Sequence, residues 1–257
     1  MRYWQESFAI ANRIFCELWR RQRSLIFWGL FPIFILLLNG LILAERAQLT
    51  LGAAMGQAAP GTLVGAALFF SCLGGSVATV VAEREQQTLK RLFLSPLAGL
   101  SYFGGIFLVH GAIAAAQTAI VCLLALALGA TFSTTFVWGL GVIILSVCAY
   151  TGLGFILGGL LARRTEDVNA LVAAFGVPLL ILGGAFMPVT FFPDSLKRLA
   201  EFNPIYHMNE ALSGLWLTDS DLTAALQHSS ILLLFAVASA LGGWWTYQWM
   251  ILREKQL

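Results

Sequence analysis

The side chains of this sequence that could do chemistry are few and widely separated. It has three histidines and four cysteines, and no Gly-rich loop that ends in Gly-Lys-Ser or Gly-Lys-Thr, so a phosphate cradle of the nucleotide-hydrolysing kind is missing. It also has no Gly-x-Ser-x-Gly elbow and no His-Glu-x-x-His pair. The sequence therefore predicts a protein that is not an enzyme and that takes its driving force from elsewhere.

Two polar pairs interrupt this pattern. His207 and Glu210 stand three residues apart, a spacing that could hold a metal ion, but two ligands make a poor metal site and we favour ordinary polar contacts. His110 and Gln117 fall inside a long apolar run, where polar side chains serve a transport pathway or bond to another helix. For His110 we favour a hydrogen bond between helices, with a role towards substrate or protons as the alternative.

The elements that position these residues are apolar helices, because 59% of the chain is hydrophobic and only 11% is charged. Soluble domains carry roughly 25% charged residues. A helix that crosses a bilayer needs about 20 apolar residues. Asp, Glu, Lys and Arg are absent from five stretches, of which the third is long enough for two spans with a turn at 129–135: 24–44, 47–82, 92–162, 168–193 and 222–252.

The predicted fold class is an all-α membrane protein with six transmembrane helices. A β-barrel would show segments of about ten residues that alternate between apolar and polar, whereas Leu25–Leu43 and Ile231–Ala240 are apolar on every side. The chain is predicted to be a single transmembrane domain over 1–257, with spans at 25–44, 59–82, 102–128, 136–162, 170–187 and 230–252.

The distribution of basic residues predicts that both termini are cytoplasmic. Six spans place the termini on one side, and only Arg46, Lys197 and Arg198 of the 15 Lys and Arg residues fall on the other. Such a bias marks the cytoplasmic side of a membrane protein. The expected location is the plasma (inner) membrane.

Two further segments are helical but are not predicted to span. The first is 1–24, an interfacial helix whose apolar residues recur at helical spacing: Trp4, Phe8, Ala11, Phe15 and Leu18. The second is 188–229, an apolar external segment interrupted by Pro204. We expect short re-entrant helices in it, with a freely solvated loop as the alternative.

The cytoplasmic segment 83–101 predicts a short amphipathic helix between spans two and three. Leu89, Leu92 and Phe93 fall on one face, and Pro96 ends the helix. Such a helix can insert into a groove of a partner protein or rest on lipid headgroups, and the residues alone leave both open.

Two motifs in the chain resemble those of ABC-2 type permeases, the membrane subunits of ATP-binding-cassette exporters, and look closest to the drug-exporter and nodulation-factor-exporter branch. The first is Glu83-Arg84-Glu85 with Thr88-Leu89, Leu92 and Ser95-Pro96-Leu97, which is similar to the coupling-helix signature. The second is 183–188 followed by Pro193 and Phe202-Asn203-Pro204. Gln87 departs from the pattern, because a Gly often precedes the Thr in the family.

The resemblance implies a permease that pairs with a second copy, as a homodimer, and docks a soluble ATP-binding subunit. ATP and Mg²⁺ would be bound in that subunit, with no cofactor in this chain. Contact with the subunit is implied for Glu83, Arg84, Glu85, Thr88, Leu89 and Leu92. The cargo is expected to be an amphiphilic or hydrophobic compound, drug-like or lipid-like, moved outward. The alternatives are export of a lipid-linked glycan, or an ATP-independent carrier or channel.

Residues of the spans and of the external segment complete the predicted site. A substrate path or polar contacts between helices are assigned to His110, Gln117, Phe69, Phe70 and Tyr150, whose aromatic members face either the path or lipid. The external segment contributes Phe186, Pro188, Pro193, Asn203 and Pro204. Gly61 with Gly65, and Ser71 with Gly75, allow close helix approach, either to a second copy or within one chain.

Overall fold

A computed structural model describes residues 2–20, 22–94, 99–162, 164–186, 189–217 and 221–254. Throughout these ranges the chain forms helices and turns, and no β-strand. The prediction of an all-α membrane protein with six spans is confirmed, since six helices are long and apolar enough to cross a membrane: Gln22–Arg46, Leu51–Glu85, Gly99–Ala127, Phe136–Leu161, Thr165–Leu182 and Leu222–Leu252. Ser95-Pro96-Leu97 and Pro188, which belong to the predicted motifs, lie outside the described residues.

The helices are numbered in chain order, and two of the spans contain a wider π-helical stretch. Their bounds are α1 Arg2–Arg20, α2 Gln22–Arg46, α3 Leu51–Gly61, π1 Thr62–Gly74, α4 Gly75–Glu85, α5 Thr88–Leu94, α6 Gly99–Ala127, α7 Gly139–Ile156, π2 Leu157–Leu161, α8 Thr165–Leu182, α9 Asp194–Ala200, α10 Pro204–Trp216 and α11 Leu222–Glu254. Span two is the continuous run of α3, π1 and α4, and span four is completed by α7 and π2.

Span two lies at the centre of the bundle. In its most apolar stretch 78% of the residues are buried, compared with 22% in the corresponding stretches of spans one and six. Small residues make this possible: a Cβ built on Gly65 would lie 2.5 Å from Cβ of Ala185, and one built on Gly75 would lie 2.6 Å from Cε1 of His110. Gly65 and Gly75 therefore approach other helices of the same chain closely, and contact of span two with a second copy stays a prediction.

Helix α1 has two apolar faces instead of one. One face packs on α6, where a Cβ on Gly105 would lie 2.7 Å from the side chain of Ile10. The opposite face is exposed and includes Trp4 (73% exposed) and Trp19 (63% exposed). Ala11, one of the five apolar residues of the predicted interfacial helix, is buried beside Ile10 instead of lying with Trp4 on the exposed face.

Between spans five and six, the described residues form the helices α9 and α10, and caps fix where α8 ends and where α10 begins. Gly184, at φ +75°, ends α8 in the left-handed conformation that glycine adopts readily. Asn203 then caps α10, since its Oδ1 accepts from the backbone N–H of Ile205 at 3.0 Å while its Nδ2 donates to the carbonyl of Leu179 at 2.6 Å. Pro204 occupies the first turn of α10, where its missing N–H costs nothing.

Candidate functional site

The two ends of the bundle carry different features. The α5 end holds α1, the junction of α4 with α5, the start of α8 and the last turns of α11, whereas the α10 end holds α9 and α10. At the α5 end, the consecutive residues Glu83, Arg84 and Glu85 finish span two, and each contacts a different part of the bundle.

Glu83 is buried, with 4% of its surface exposed. Its Oε1 accepts a hydrogen bond and ion pair from Nη2 of Arg13 on α1. Its Oε2 accepts a hydrogen bond from Oη of Tyr102 on α6, and the Tyr102 ring stacks on Tyr247 of α11 at a centroid distance of 5.5 Å. A buried carboxylate is tolerated when it is paired and hydrogen-bonded in this way.

Arg84 and Glu85 cap two other helices. The Nη1 and Nη2 groups of Arg84 donate to the carbonyls of Gly159, at 3.3 Å, and of Ala162, where span four ends. The Glu85 carboxylate accepts from the backbone N–H of Thr165, at 3.2 Å, and from its Oγ1, at the first residue of α8. A cation at the last carbonyls of a helix and an anion at its first N–H groups both complement the helix dipole.

The triplet therefore joins span two to α1 and to spans three, four and five at one level of the bundle. Helix α5 follows after Gln87, whose φ of +55° is the conformation in which glycine is favoured. Within α5, Leu89 is buried, Thr88 and Leu92 are half-buried, and Arg91 is exposed. Of the predicted coupling residues, Glu83 and Leu89 thus face inward and can act only through the residues they position.

Hydrogen bonds between spans are formed by Gln117 in the interior. Its Oε1 accepts from Oγ of Ser71 at 2.7 Å, and its Nε2 donates to the carbonyl of Trp28 at 2.8 Å, which links span three to spans two and one. His110 is fully buried, and its ring nitrogens have no hydrogen-bond partner among the described residues. At this level Gln117 forms the hydrogen bonds from span three to other spans, and the role expected for His110 stays a prediction.

Two concave surfaces border the spans. A lateral groove of about 1440 Å³ runs along α6 and α7 and is lined almost wholly by apolar residues, with Trp4 of α1 at one end. A second cavity, of about 840 Å³, lies at the α10 end between α2, α3, the end of α8 and α10. We call it the α10-end cavity, and its polar lining is Asn39, Arg46, Gln57, Asn209, Glu210 and Ser213.

Three aromatic residues were assigned to a path from the sequence, and neither of these two surfaces is lined by them. Phe69 and Tyr150 are buried edge to face at 5.7 Å, and Oη of Tyr150 donates to the carbonyl of Val64 at 3.1 Å. A Cβ on Gly176 would lie only 2.0 Å from Cζ of Phe69, so span five packs directly on this ring. Phe70 packs against Phe31 of α2, at 5.4 Å. Their role as a path stays a prediction.

The residues expected in the segment after span five have separate positions. Phe186 lines the α10-end cavity, Pro193 precedes α9, and Asn203 and Pro204 begin α10. Nδ1 of His207 lies 2.8 Å from Nδ1 of His228 on α11, and its Nε2 lies 2.9 Å from the carbonyl of Glu201. His207 therefore joins α10 to α11 by polar contacts, and no cluster of metal-binding side chains occurs in the described part of the chain.

The α10-end cavity was missed by sequence reasoning. Glu210 was considered only for its spacing from His207, and Asn209 was not considered at all. No periodicity marks them, because the cavity is formed by residues from four separate segments. The only signal was a carboxylate in an otherwise apolar stretch.

Six apolar spans and two short helices between spans five and six define a multi-pass helical membrane protein. The family model for the ABC-2 type transporter matches residues 5–217, and the chain belongs to this family.

Two curated relatives carry the description "Probable multidrug ABC transporter permease YbhR", one from Escherichia coli strain K12 and one from Escherichia coli O157:H7. Each is 29% identical to this chain over 149 residues, which is 56% of the chain. The chain spans 39% of the length of these relatives.

Proposed function

We propose that this chain is the permease subunit of an ABC exporter, which moves an amphiphilic or hydrophobic compound outward and is driven by ATP hydrolysis in a separate docked subunit. The observation that carries the proposal is the Glu83-Arg84-Glu85 triplet, which joins the end of span two to α1 and to three other spans beside α5. A permease without its own motor needs such a connection between a docking helix and its spans.

The triplet gives α5 a mechanical link to most of the bundle. A force on α5 reaches α4 through the two-residue turn between them, and α4 is hydrogen-bonded to Arg13, Gly159 and Thr165. Packed cores respond to such displacements as units, because their contacts do not deform continuously. In this proposal Glu83 and Leu89 are positioning residues, whereas the exposed Arg91 contacts the ATP-binding subunit.

The assembly consists of two permease copies and two soluble ATP-binding subunits that hold ATP and Mg²⁺. Spans one and five suit the contact between the copies, because both present exposed apolar side chains, among them Leu30, Phe34 and Ile181. The α5 end faces the cytoplasm of a cell whose inner membrane holds the complex, because most Lys and Arg residues flank that end. The permease itself does no covalent chemistry.

The cargo is drug-like or lipid-like. The groove along α6 and α7 offers an apolar surface on the lipid-facing side of the bundle, and the α10-end cavity combines apolar walls with a few polar groups. Binding sites for amphiphiles have this composition, since apolar walls provide affinity and a small number of polar groups fix orientation.

Co-purification tests the proposal. The tagged chain, extracted in mild detergent, is expected to bring down a soluble protein with a Gly-x-x-x-x-Gly-Lys-Ser/Thr loop when the two are co-expressed. The variant Arg91→Glu is expected to lose that protein, whereas Arg198→Glu, an exposed charge change on α9 at the α10 end, is expected to retain it. Retention by Arg91→Glu, or release by Arg198→Glu, contradicts docking at α5.

A further inference from the structure

The α10-end cavity contains a buried acceptor without a donor. Asn209 is 8% exposed, and its Nδ2 donates to the carbonyl of Gly184 at 3.3 Å. This bond turns the amide so that Oδ1 is buried with no hydrogen-bond partner. A buried acceptor left unpaired costs free energy, so a ligand that donates to it binds more favourably.

Two more oxygens face the same spot. A Cβ on Gly61 would lie 3.1 Å from the carbonyl oxygen of Ala185, 3.4 Å from that of Gly184 and 3.5 Å from Oδ1 of Asn209. Gly61 is half-exposed and lines the cavity. The absence of a side chain at Gly61 therefore leaves a space whose three nearest atoms are acceptor oxygens, which suits a ligand that carries N–H groups and positive charge.

Glu210 adds a carboxyl group to the same cavity. It follows Asn209 on α10 and is half-buried, and no ion pair or hydrogen bond to its carboxylate is formed within the described residues. Burial raises the pKa of the Glu210 carboxyl, because the charged form is partly deprived of water there. The ionised Glu210 carboxylate is stabilised when a cation binds beside it and replaces the hydration that burial removes.

Among the described residues that line the cavity, Arg46 is the only basic one, and by itself it would favour an anionic ligand. Its side chain is exposed where α2 ends, so water already solvates the guanidinium. An exposed ion gains little from a pair, whereas a desolvated carboxylate gains much more. The preference of the cavity for a cationic or an anionic ligand is therefore decided by Glu210 and the three acceptor oxygens.

We propose that the α10-end cavity binds the ammonium group of a cationic amphiphile, with the Glu210 carboxylate and Oδ1 of Asn209 as acceptors and with Ile42, Leu43 and Phe186 against the apolar chain. The assignment of this amphiphile as exported cargo rests on the proposed function. Binding itself does not, and it is measured on the permease without its ATP-binding subunit.

Octylammonium is the probe, titrated calorimetrically into the full chain in nanodiscs of neutral phosphatidylcholine, with empty nanodiscs subtracted. The expected result is saturable binding that octanol and octyl sulfate do not reproduce. Glu210→Gln keeps the shape and removes the charge, and it is expected to weaken octylammonium binding about 10-fold or more. Glu201→Gln, an exposed carboxylate on the same segment, is expected to bind like the wild type.

Three results overturn the inference: no saturable binding of octylammonium, unchanged binding by Glu210→Gln, or equal binding of octyl sulfate that Arg46→Gln abolishes. A misfolded variant is recognised from thermal unfolding, because Glu210→Gln removes a desolvated charge and is expected to unfold no earlier than the wild type. If Glu210→Gln binds normally while the complex still exports its cargo with ATP, this inference fails and the proposed function stands.

Discussion

Arg13 and Glu83 form an ion pair between α1 and the last turn of span two. The pair makes α1 part of the unit that surrounds α4, although α1 is not one of the six spans. The same carboxylate also holds Tyr102 of span three, so one buried group joins three helices next to α5.

Removing one partner of this pair is expected to cost more than removing both. Glu83→Ala leaves Arg13 and Tyr102 without their acceptor, and we expect a loss of about 3 kcal/mol in the free energy of unfolding together with loss of transport-linked ATPase activity. The double variant Arg13→Leu with Glu83→Leu is expected to recover part of the stability, because the half-buried Arg13 charge is then no longer left without its partner, while Tyr102 still lacks its acceptor. Denaturant-dependent unfolding in detergent micelles measures the stability.

The control for this prediction is Glu45→Ala, an exposed carboxylate at the other end of span one. It is expected to change the free energy of unfolding by less than about 0.5 kcal/mol. A double variant as unstable as Glu83→Ala would show that the pair does not act as a unit.

Contact between spans two and five depends on Gly176. Gly176→Ala places a Cβ 2.0 Å from Cζ of Phe69, and overpacking of this kind costs about 1 to 3 kcal/mol. Adding Phe69→Leu is expected to restore stability by opening the space. Gly111→Ala is the matched control, since nothing lies within 4 Å of its Cβ position. Thermal unfolding compares the variants, and equal midpoints for Gly176→Ala and Gly111→Ala would be inconsistent with the contact.

The turn before α5 is strained at Gln87. A non-glycine residue at φ +55° costs about 1 kcal/mol, so Gln87→Gly is expected to raise the free energy of unfolding slightly and to leave ATPase coupling intact. Gln86→Gly changes the preceding residue, at φ −79°, and is expected to lower it. Chemical denaturation of both variants checks the sign, and destabilisation by Gln87→Gly would refute the explanation.

Binding of octylammonium is expected to weaken as the pH falls. Glu210 must be ionised to bind it, and because burial raises the pKa of this carboxyl, the loss begins at a higher pH than for an exposed Glu. Tyr206 precedes Glu210 on α10, and it stays neutral in this range because burial and the nearby Glu210 raise its pKa.

The free energy of unfolding of the unliganded protein is expected to fall as the pH rises. A carboxyl with a raised pKa stabilises the fold below its ordinary pKa, and this contribution is lost as the pH rises through the raised value. Calorimetric titration from about pH 5 to pH 8 checks the binding trend, which Glu210→Gln is expected to abolish. Affinity independent of pH in the wild type would contradict the role of Glu210.

The sequence predicted the spans because a bilayer imposes one strong requirement on every helix that crosses it. Charge-free runs such as 222–252 satisfy this requirement and need no knowledge of tertiary contacts. Which face of a span is buried depends on tertiary contacts, and hydropathy alone does not predict it. Glu83 reads as a surface residue of an amphipathic segment, and only the fold shows that Arg13 and Tyr102 enclose it.

The same distinction explains the other differences. Gln117 and His110 are both polar residues of span three, but the position of Trp28 and Ser71 in space decides which of them forms hydrogen bonds. Phe69 reads as a residue that could line a path, whereas its contact with Gly176 comes from the packing of spans two and five.

The proposed function requires ATP hydrolysis in a second protein. The most direct measurement is uptake of a fluorescent cationic amphiphile into proteoliposomes that contain the permease with its co-purified ATP-binding subunit, with the α5 end outward. Uptake is expected only with ATP, Mg²⁺ and both proteins present, and Glu83→Ala is expected to abolish it. Uptake by the permease alone, driven by an ion gradient without ATP, would contradict the account.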